Sequence, residues 1–235
     1  MSDNEVKMDE DILSDNEVKI IPIFSTILHP RELVVTEKQT NDLMNLTQTI
    51  EWISKKEPDI RSKSIYLIKE HKELHWLGES IFDCFNNFKN NILKYNDTNF
   101  VMTTSWLTYT PSGSSSIFHN HTNTMWSGVF YFGNEEGINT GITFSSFGNM
   151  MNGFNVVPTE YNDWNCSSYD WHPKNNSVLF FPSQTPHSVI KNTSKQNRYS
   201  IAFNLMPSQF CGTGDSSIYY CTKDNDYYVE DNERI

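Results

Sequence analysis

The chain has 235 residues, 14% of them aromatic, and a formal net charge of −11, a length that suits one domain of moderate size with a real core. The charge is uneven: residues 1–19 carry seven acids against Lys7 and Lys19, residues 215–235 carry six against Lys223 and Arg234, and the middle is close to neutral. No basic stripe of the kind nucleic-acid backbones attract is present, no apolar run approaches the ~20 residues of a membrane span, and the four cysteines (Cys84, Cys166, Cys211, Cys221) lack Cys-x-x-Cys spacing.

Met1 is followed by acids rather than by the basic and apolar run of a secretory leader, so a cytoplasmic setting with free thiols is expected, and no Cys211–Cys221 disulfide. Ser2-Asp-Asn-Glu-Val-Lys recurs at Ser14 to Lys19, but two copies are too short for a solenoid. Residues 1–19 read as an acidic, disordered tail. Ile20 to Leu28 is apolar and β-rich, an early strand. Thr36-Glu-Lys-Gln is a capping box, and Leu43, Leu46, Ile50 and Ile53 follow at helical spacing. A second helix carries Leu74, Leu77, Ile81, Phe85, Phe88 and Ile92 in the same rhythm. His71 and His75 lie four apart at its start, without a third ligand, and read as edge histidines.

From Phe100 the texture changes to short β-like runs between Gly, Ser and Asn turns. The clearest strands are Val101–Tyr109, Met125–Phe132, Gly141–Ser145, Ser177–Phe181 and Arg198–Leu205. This spacing predicts a mainly β fold, a sandwich or jelly roll with helices packed outside one sheet. Residues 148–174 read as a long irregular stretch bearing Tyr161, Trp164, Tyr169 and Trp171, the kind of loop that serves as a lid. His172 there takes no ligand role. The domain plan is a tail over 1–19, a single domain over 20–210 with helical support at 36–95 and a β core at about 100–206, and an acidic, Tyr-rich extension over 211–235.

The chemistry concentrates in four residues. His119 and His121 are two apart, so on a strand they face one side. His187 lies in Phe180-Phe-Pro-Ser-Gln-Thr-Pro-His-Ser-Val, and Arg198 follows eleven residues later. Three imidazoles suit iron, copper, nickel or zinc and leave positions open for substrate or oxygen. An arginine nearby matches a carboxylate with its fork of donors.

In these motifs the chain resembles the Fe(II)/2-oxoglutarate-dependent oxygenases, and most closely their prolyl-hydroxylase-like branch. Tyr109 stands ten residues before the first His with Gly113 between. Tyr131 sits in the aromatic strand Ser127-Gly-Val-Phe-Tyr-Phe-Gly. Phe180 to Val189 is similar to the family's distal-His segment, and Arg198-Tyr-Ser-Ile to its arginine strand. The order Trp106, His119-x-His121, Ser127-Gly-Val, Pro186-His187, Arg198, Phe203-Asn204 also resembles an oxygenase group common in bacteria and phages. The likeness spans roughly residues 100–206. One position departs: the usual Asp is His121. Either this imidazole completes the ligand set, or it points away and leaves the site incomplete.

The resemblance implies a double-stranded β-helix (jelly roll, cupin-like) core with iron at its open mouth. His119, His121 and His187 would hold Fe(II). The cosubstrate 2-oxoglutarate would chelate iron at one end and pair with Arg198 at the other, helped by Tyr131, Ser200 and Tyr109, with O2 as oxidant. The implied reaction is hydroxylation of an unactivated C–H bond. A peptide, protein or amino-acid substrate is favoured, and nucleic acid disfavoured. Trp106, Phe118 and Trp126 read as core or pocket wall, and Asn204 as a core residue or one hydrogen-bonding near the metal. Two other readings stay open: a three-histidine cupin-like metalloenzyme that needs no 2-oxoglutarate, and a non-catalytic jelly-roll binding protein.

Overall fold

The computed structural model describes residues 25–53, 60–95, 98–133, 140–146, 157–162, 165–211 and 218–220, and of 209–211 and 218–220 the backbone alone. The acidic tail, most of the expected early strand, Trp164 and Cys221 lie outside these residues. Residues 25–28 are not strand. Strand pairing begins at β1 (His29–Glu32), which runs antiparallel to β6 (Ser177–Pro182).

Helix α1 (Glu37–Thr49) starts where the capping box predicts. The Gln39 amide donates to Thr36 Oγ1 at 3.3 Å, and the Thr36 amide donates to Gln39 Oε1 at 2.8 Å, so two of the helix's orphan donors are satisfied reciprocally. It ends at Thr49, and Ile50 turns extended, so Ile53 falls outside the helix and is exposed. The short α2 (Leu67–Glu70) leads through a 3-10 turn into α3 (His75–Phe88), whose Leu77, Ile81, Phe85 and Phe88 are buried at spacings of three and four. One π turn, Lys89–Leu93, follows. That turn holds more residues than an α turn, which rotates Ile92 off the buried face and leaves it 65% exposed.

Five strands form the larger sheet in the order β1-β6-β3-β8-β2, with β2 spanning Phe100–Thr110, β3 Trp126–Phe132 and β8 Arg198–Pro207. Three form the smaller sheet in the order β5-β4-β7, with β4 at Ile142–Ser145, β5 at Ser168–Trp171 and β7 at His187–Val189. The stretch expected to be irregular over 148–174 therefore contains a strand, β5, paired to β4 through Ile142↔Trp171. A short pair, β9 (Gln209–Cys211) and β10 (Ile218–Tyr220), follows. The architecture is the expected one: mainly β, a jelly roll with flanking helices.

Alternation in the strands of the larger sheet separates two cores. Phe130 and Phe132 of β3, Val178 and Phe180 of β6, and Ile201, Phe203 and Leu205 of β8 pack against the helices. Val129, Tyr131, Leu179, Phe181 and Ala202 point the other way, onto Ile142 and Phe144 of the small sheet. Period two on every strand dictates this division. At Gly128 the Phe203 ring lies where a side chain would begin, so β3 needs glycine for that close approach. Among the described residues no helix is long and apolar enough to cross a membrane, and Cys84 and Cys166 are free.

Candidate active site

The chain between β2 and β3 runs extended across the mouth of the roll. Ser116 and His119 pair with β7: the His119 amide donates to the His187 carbonyl at 2.9 Å and the His187 amide returns a bond of 2.8 Å. Two residues on, the His121 amide donates to the Ser183 carbonyl at 2.9 Å. This pairing turns the sequence separation of 68 residues between His119 and His187 into adjacency. The three imidazoles each offer one nitrogen, and those atoms lie within 4.8 Å of one another, close enough to hold a single metal ion. His121 does not point away.

Hydrogen bonding sets the tautomers. His119 Nδ1 faces the Ile117 carbonyl at 2.9 Å, His187 Nδ1 the Thr185 carbonyl at 2.8 Å, and His121 Nδ1 the Asn204 side-chain oxygen at 2.9 Å. Carbonyl oxygens only accept, so each Nδ1 carries the proton and donates. Each Nε2 is then left with a lone pair, the form a metal takes. Ser127 Oγ touches His121 Nδ1 at 2.9 Å and donates to Asn204 Oδ1 at 2.8 Å, while Asn204 Nδ2 donates to Thr104 Oγ1 at 3.0 Å. Both ends of the Asn204 amide are thereby fixed.

Burial, opposed by the bond to the Thr185 carbonyl and aided by the neighbouring His119 and His121, pushes the His187 pKa down to about 3. His121 is also lowered, first by burial and then by His119, against the opposing bond to Asn204. Both rings are neutral near pH 7, as metal ligation requires.

Arg198 is 1% exposed. Its Nε donates to the Thr140 carbonyl at 2.9 Å, one terminal nitrogen donates to Ser200 Oγ at 3.2 Å, and the guanidinium carbon lies 4.9 Å from the centre of the Tyr131 ring. No carboxylate among the described residues pairs with it. The Tyr131 hydroxyl is buried against it without a hydrogen-bond partner of acceptable geometry. Burial raises the Tyr131 pKa to about 12 and lowers that of Arg198. An uncompensated buried cation and an orphaned hydroxyl side by side are costly unless an anion completes them.

One cavity of about 410 Å³ joins the two groups, bordered at one end by His119, His121 and His187 and at the other by Arg198, Thr108 and Ser200. On β8, residues 198, 200, 202 and 204 all line it, so a single strand face carries Arg198 and the Asn204 that holds His121. Of the other expected residues, Tyr109 borders the cavity, but its ring also packs edge-on to Trp52 at 4.9 Å and beside Tyr199 at 5.8 Å. Trp106 lines the cavity with its ring 5.8 Å from that of His121. Phe118 is exposed, and Trp126 is buried under the helices. His71 sits 3.1 Å from Glu73, and neither it, His75 nor His172 joins the three-histidine group. Sequence reading passed over Ser127's contact with the ligand and Arg61, which also lines the cavity. Neither has a local signal: Ser127 meets His121 only through strand pairing, and Arg61 lies outside every regular element.

Residues 104–204 match the family model described as "Putative 2OG-Fe(II) oxygenase". Among solved structures, the chain is similar to HygX from Streptomyces hygroscopicus with nickel, 2-oxoglutarate and hygromycin B bound, at TM-score 0.55 and 10% identity over 79% of this chain and 84% of that one. It is similar to the non-heme α-ketoglutarate-dependent epimerase SnoN of nogalamycin biosynthesis, at 0.56 and 9% over 77% and 79%. A third is an oxidoreductase of the 2OG-Fe(II) oxygenase family from Burkholderia pseudomallei, at 0.53 and 11% over 77% and 84%. At these identities the structures share the fold. No curated protein matches the chain.

Proposed function

We propose, from the match of residues 104–204 to the family model described as "Putative 2OG-Fe(II) oxygenase" and from the shared fold, that the protein is an Fe(II)/2-oxoglutarate-dependent dioxygenase that hydroxylates an unactivated C–H bond of an amino acid, a peptide or a prolyl residue. The observation that carries the reading is the buried Arg198, without a carboxylate partner among the described residues, in the same cavity as three imidazoles with free Nε2 lone pairs. The metal and the cosubstrate both fit what is present. The histidines are in the ligating tautomer, and Arg198 in the same cavity would hold one carboxylate of a small dicarboxylate.

Fe(II) and 2-oxoglutarate, when bound, supply the activation of O2 and the oxidation of carbon. The chain's residues do the rest. His119, His121 and His187 would hold the metal through their unprotonated Nε2 atoms. Asn204 and Ser127 keep the His121 ring aimed. Arg198 receives the far carboxylate in a charge-assisted fork, and Ser200, which also lines the cavity, adds a donor, whereas Tyr131 is fully buried against Arg198 and is not among the lining residues. Burial strengthens that pairing by keeping water from screening it. Val129, Ile142 and Ala202 supply an apolar wall that excludes water. Tyr109 is a wall residue in this scheme.

The third imidazole equally suits a three-histidine enzyme that needs no 2-oxoglutarate; Arg198 is what argues against it. Purified protein given Fe(II) is expected to turn 2-oxoglutarate slowly into succinate without any added substrate. Metal-loaded protein that neither binds nor consumes 2-oxoglutarate refutes the reading.

A further inference from the structure

The cavity holds a second guanidinium. Arg61 belongs to the segment 60–66, which runs along the free edge of β2: the Ser62 amide donates to the Leu107 carbonyl at 2.8 Å, the Tyr109 amide to the Ile60 carbonyl at 3.1 Å, and Arg61 bridges to Thr108 in antiparallel register. Residues directly opposite in an antiparallel pair turn their side chains to the same face. Arg61 therefore projects on the cavity side with Thr108, and both line it. It is half-buried and pairs with no carboxylate among the described residues.

Arg61 and Arg198 address different parts of the cavity. The Arg198 guanidinium leans over Tyr131 of β3 and toward the Thr140 carbonyl. The Arg61 main chain lies beyond β2, two strand spacings or about 10 Å from the main chain of β8. One small dicarboxylate anchored at the metal and at Arg198 has no carboxylate left for Arg61.

The charges point the same way. Among the described residues no Asp or Glu lines the cavity, in a chain whose net charge is −11. With His121 in the place where a carboxylate is usual, all three ligands are neutral. A dication and Arg198 set against a dianion leave one positive charge over, and Arg61 makes it two. Around the buried Arg198 such an excess is costly until another anion enters.

Resting on the oxygenase reading, we propose that Arg61 is a specificity residue that binds an anionic oxygen group, a carboxylate or phosphate, on the compound to be hydroxylated. A cavity of about 410 Å³ stands near the lower end of the ~300–1,000 Å³ of small-molecule sites.

The test uses protein loaded with Ni(II) and 2-oxoglutarate, which binds without turning over, and reads heat of binding. The probes are N-acetyl-L-proline, its primary amide and phenyl phosphate. In the wild type at least one anion is expected to bind about tenfold more tightly than the amide. Which anion leads separates a carboxylate from a phosphate source. In R61Q the preference is expected to fall to near unity, with 2-oxoglutarate affinity and melting temperature unchanged; R61K is expected to restore part of it. Equal binding of acid and amide, silence of both anions, or a preference that survives in R61Q overturns the proposal. Loss of 2-oxoglutarate binding in R61Q overturns it too, by putting Arg61 on the cosubstrate. If the wild-type protein fails to bind 2-oxoglutarate at all, it is the oxygenase reading that falls.

Discussion

The two faces of β8 divide the molecule's labour. Facing the helices, Ile201, Phe203 and Leu205 are fully buried among aromatic rings. Facing the cavity, Arg198, Ser200, Ala202 and Asn204 form a row of four with little in common chemically. The apolar face secures the strand's place, and the other spends that rigidity on holding polar groups that water would otherwise satisfy. Side chains two apart thus answer to one purpose, and side chains one apart to different ones.

The sharpest way to break this division is Phe203→Ala. The loss expected is about 3–5 kcal/mol of folding stability, read by urea denaturation, with metal and cosubstrate affinity kept in whatever fraction stays folded. Arg198→Ala is expected to do the converse, weakening 2-oxoglutarate by about 2–5 kcal/mol while the metal stays bound; calorimetry on the Ni(II) form separates the two. If metal is lost in step with cosubstrate, the division fails. Asn204→Ala should cost roughly 10–100-fold in metal affinity, measured by chelator competition, without comparable loss of stability. Gly128→Ala presses a methyl group onto the Phe203 ring, and overpacking of this kind costs about 1–3 kcal/mol.

A further effect expected is one of pH. The folded protein holds His187 near a pKa of about 3, against 6.5 for the free side chain. On acidification the unfolded chain therefore takes up the proton first. Stability of the metal-free protein is expected to fall as pH drops from about 6.5 toward 3, and to be insensitive to this group above that window. Urea midpoints between pH 7 and 4 measure the slope, and His187→Asn should flatten it. A slope of the opposite sign would mean that His187 is not buried neutral.

Much of this was legible because its signals are local. The Thr36 capping box, the rhythm of Leu77, Ile81 and Phe85, and the strands around Trp106, Tyr131, Phe180 and Ile201 are all written within a few residues of where they act. The three histidines and Arg198 came from motif resemblance joined to strand parity. What escaped depends on long-range pairing or on a change of helical pitch. Ile92 was expected inside because nothing in Lys89–Leu93 announces a π turn. Ser168–Trp171 became a strand because β4 was there to pair with it. Ser127 touches His121, and Arg61 reaches the cavity, only after the sheet assembles.

The three Nδ1 donors do not share one kind of anchor, and that sets what can drift over generations. His119 and His187 are each latched to the main-chain oxygen two residues earlier, a partner present whatever side chain stands there. His121 is latched instead by the amide and hydroxyl of Asn204 and Ser127. Codon changes at 204 or 127 can remake that latch; none at 117 or 185 removes the other two. Heritable variation in how this three-histidine group is held is therefore funnelled to a single corner, that of His121.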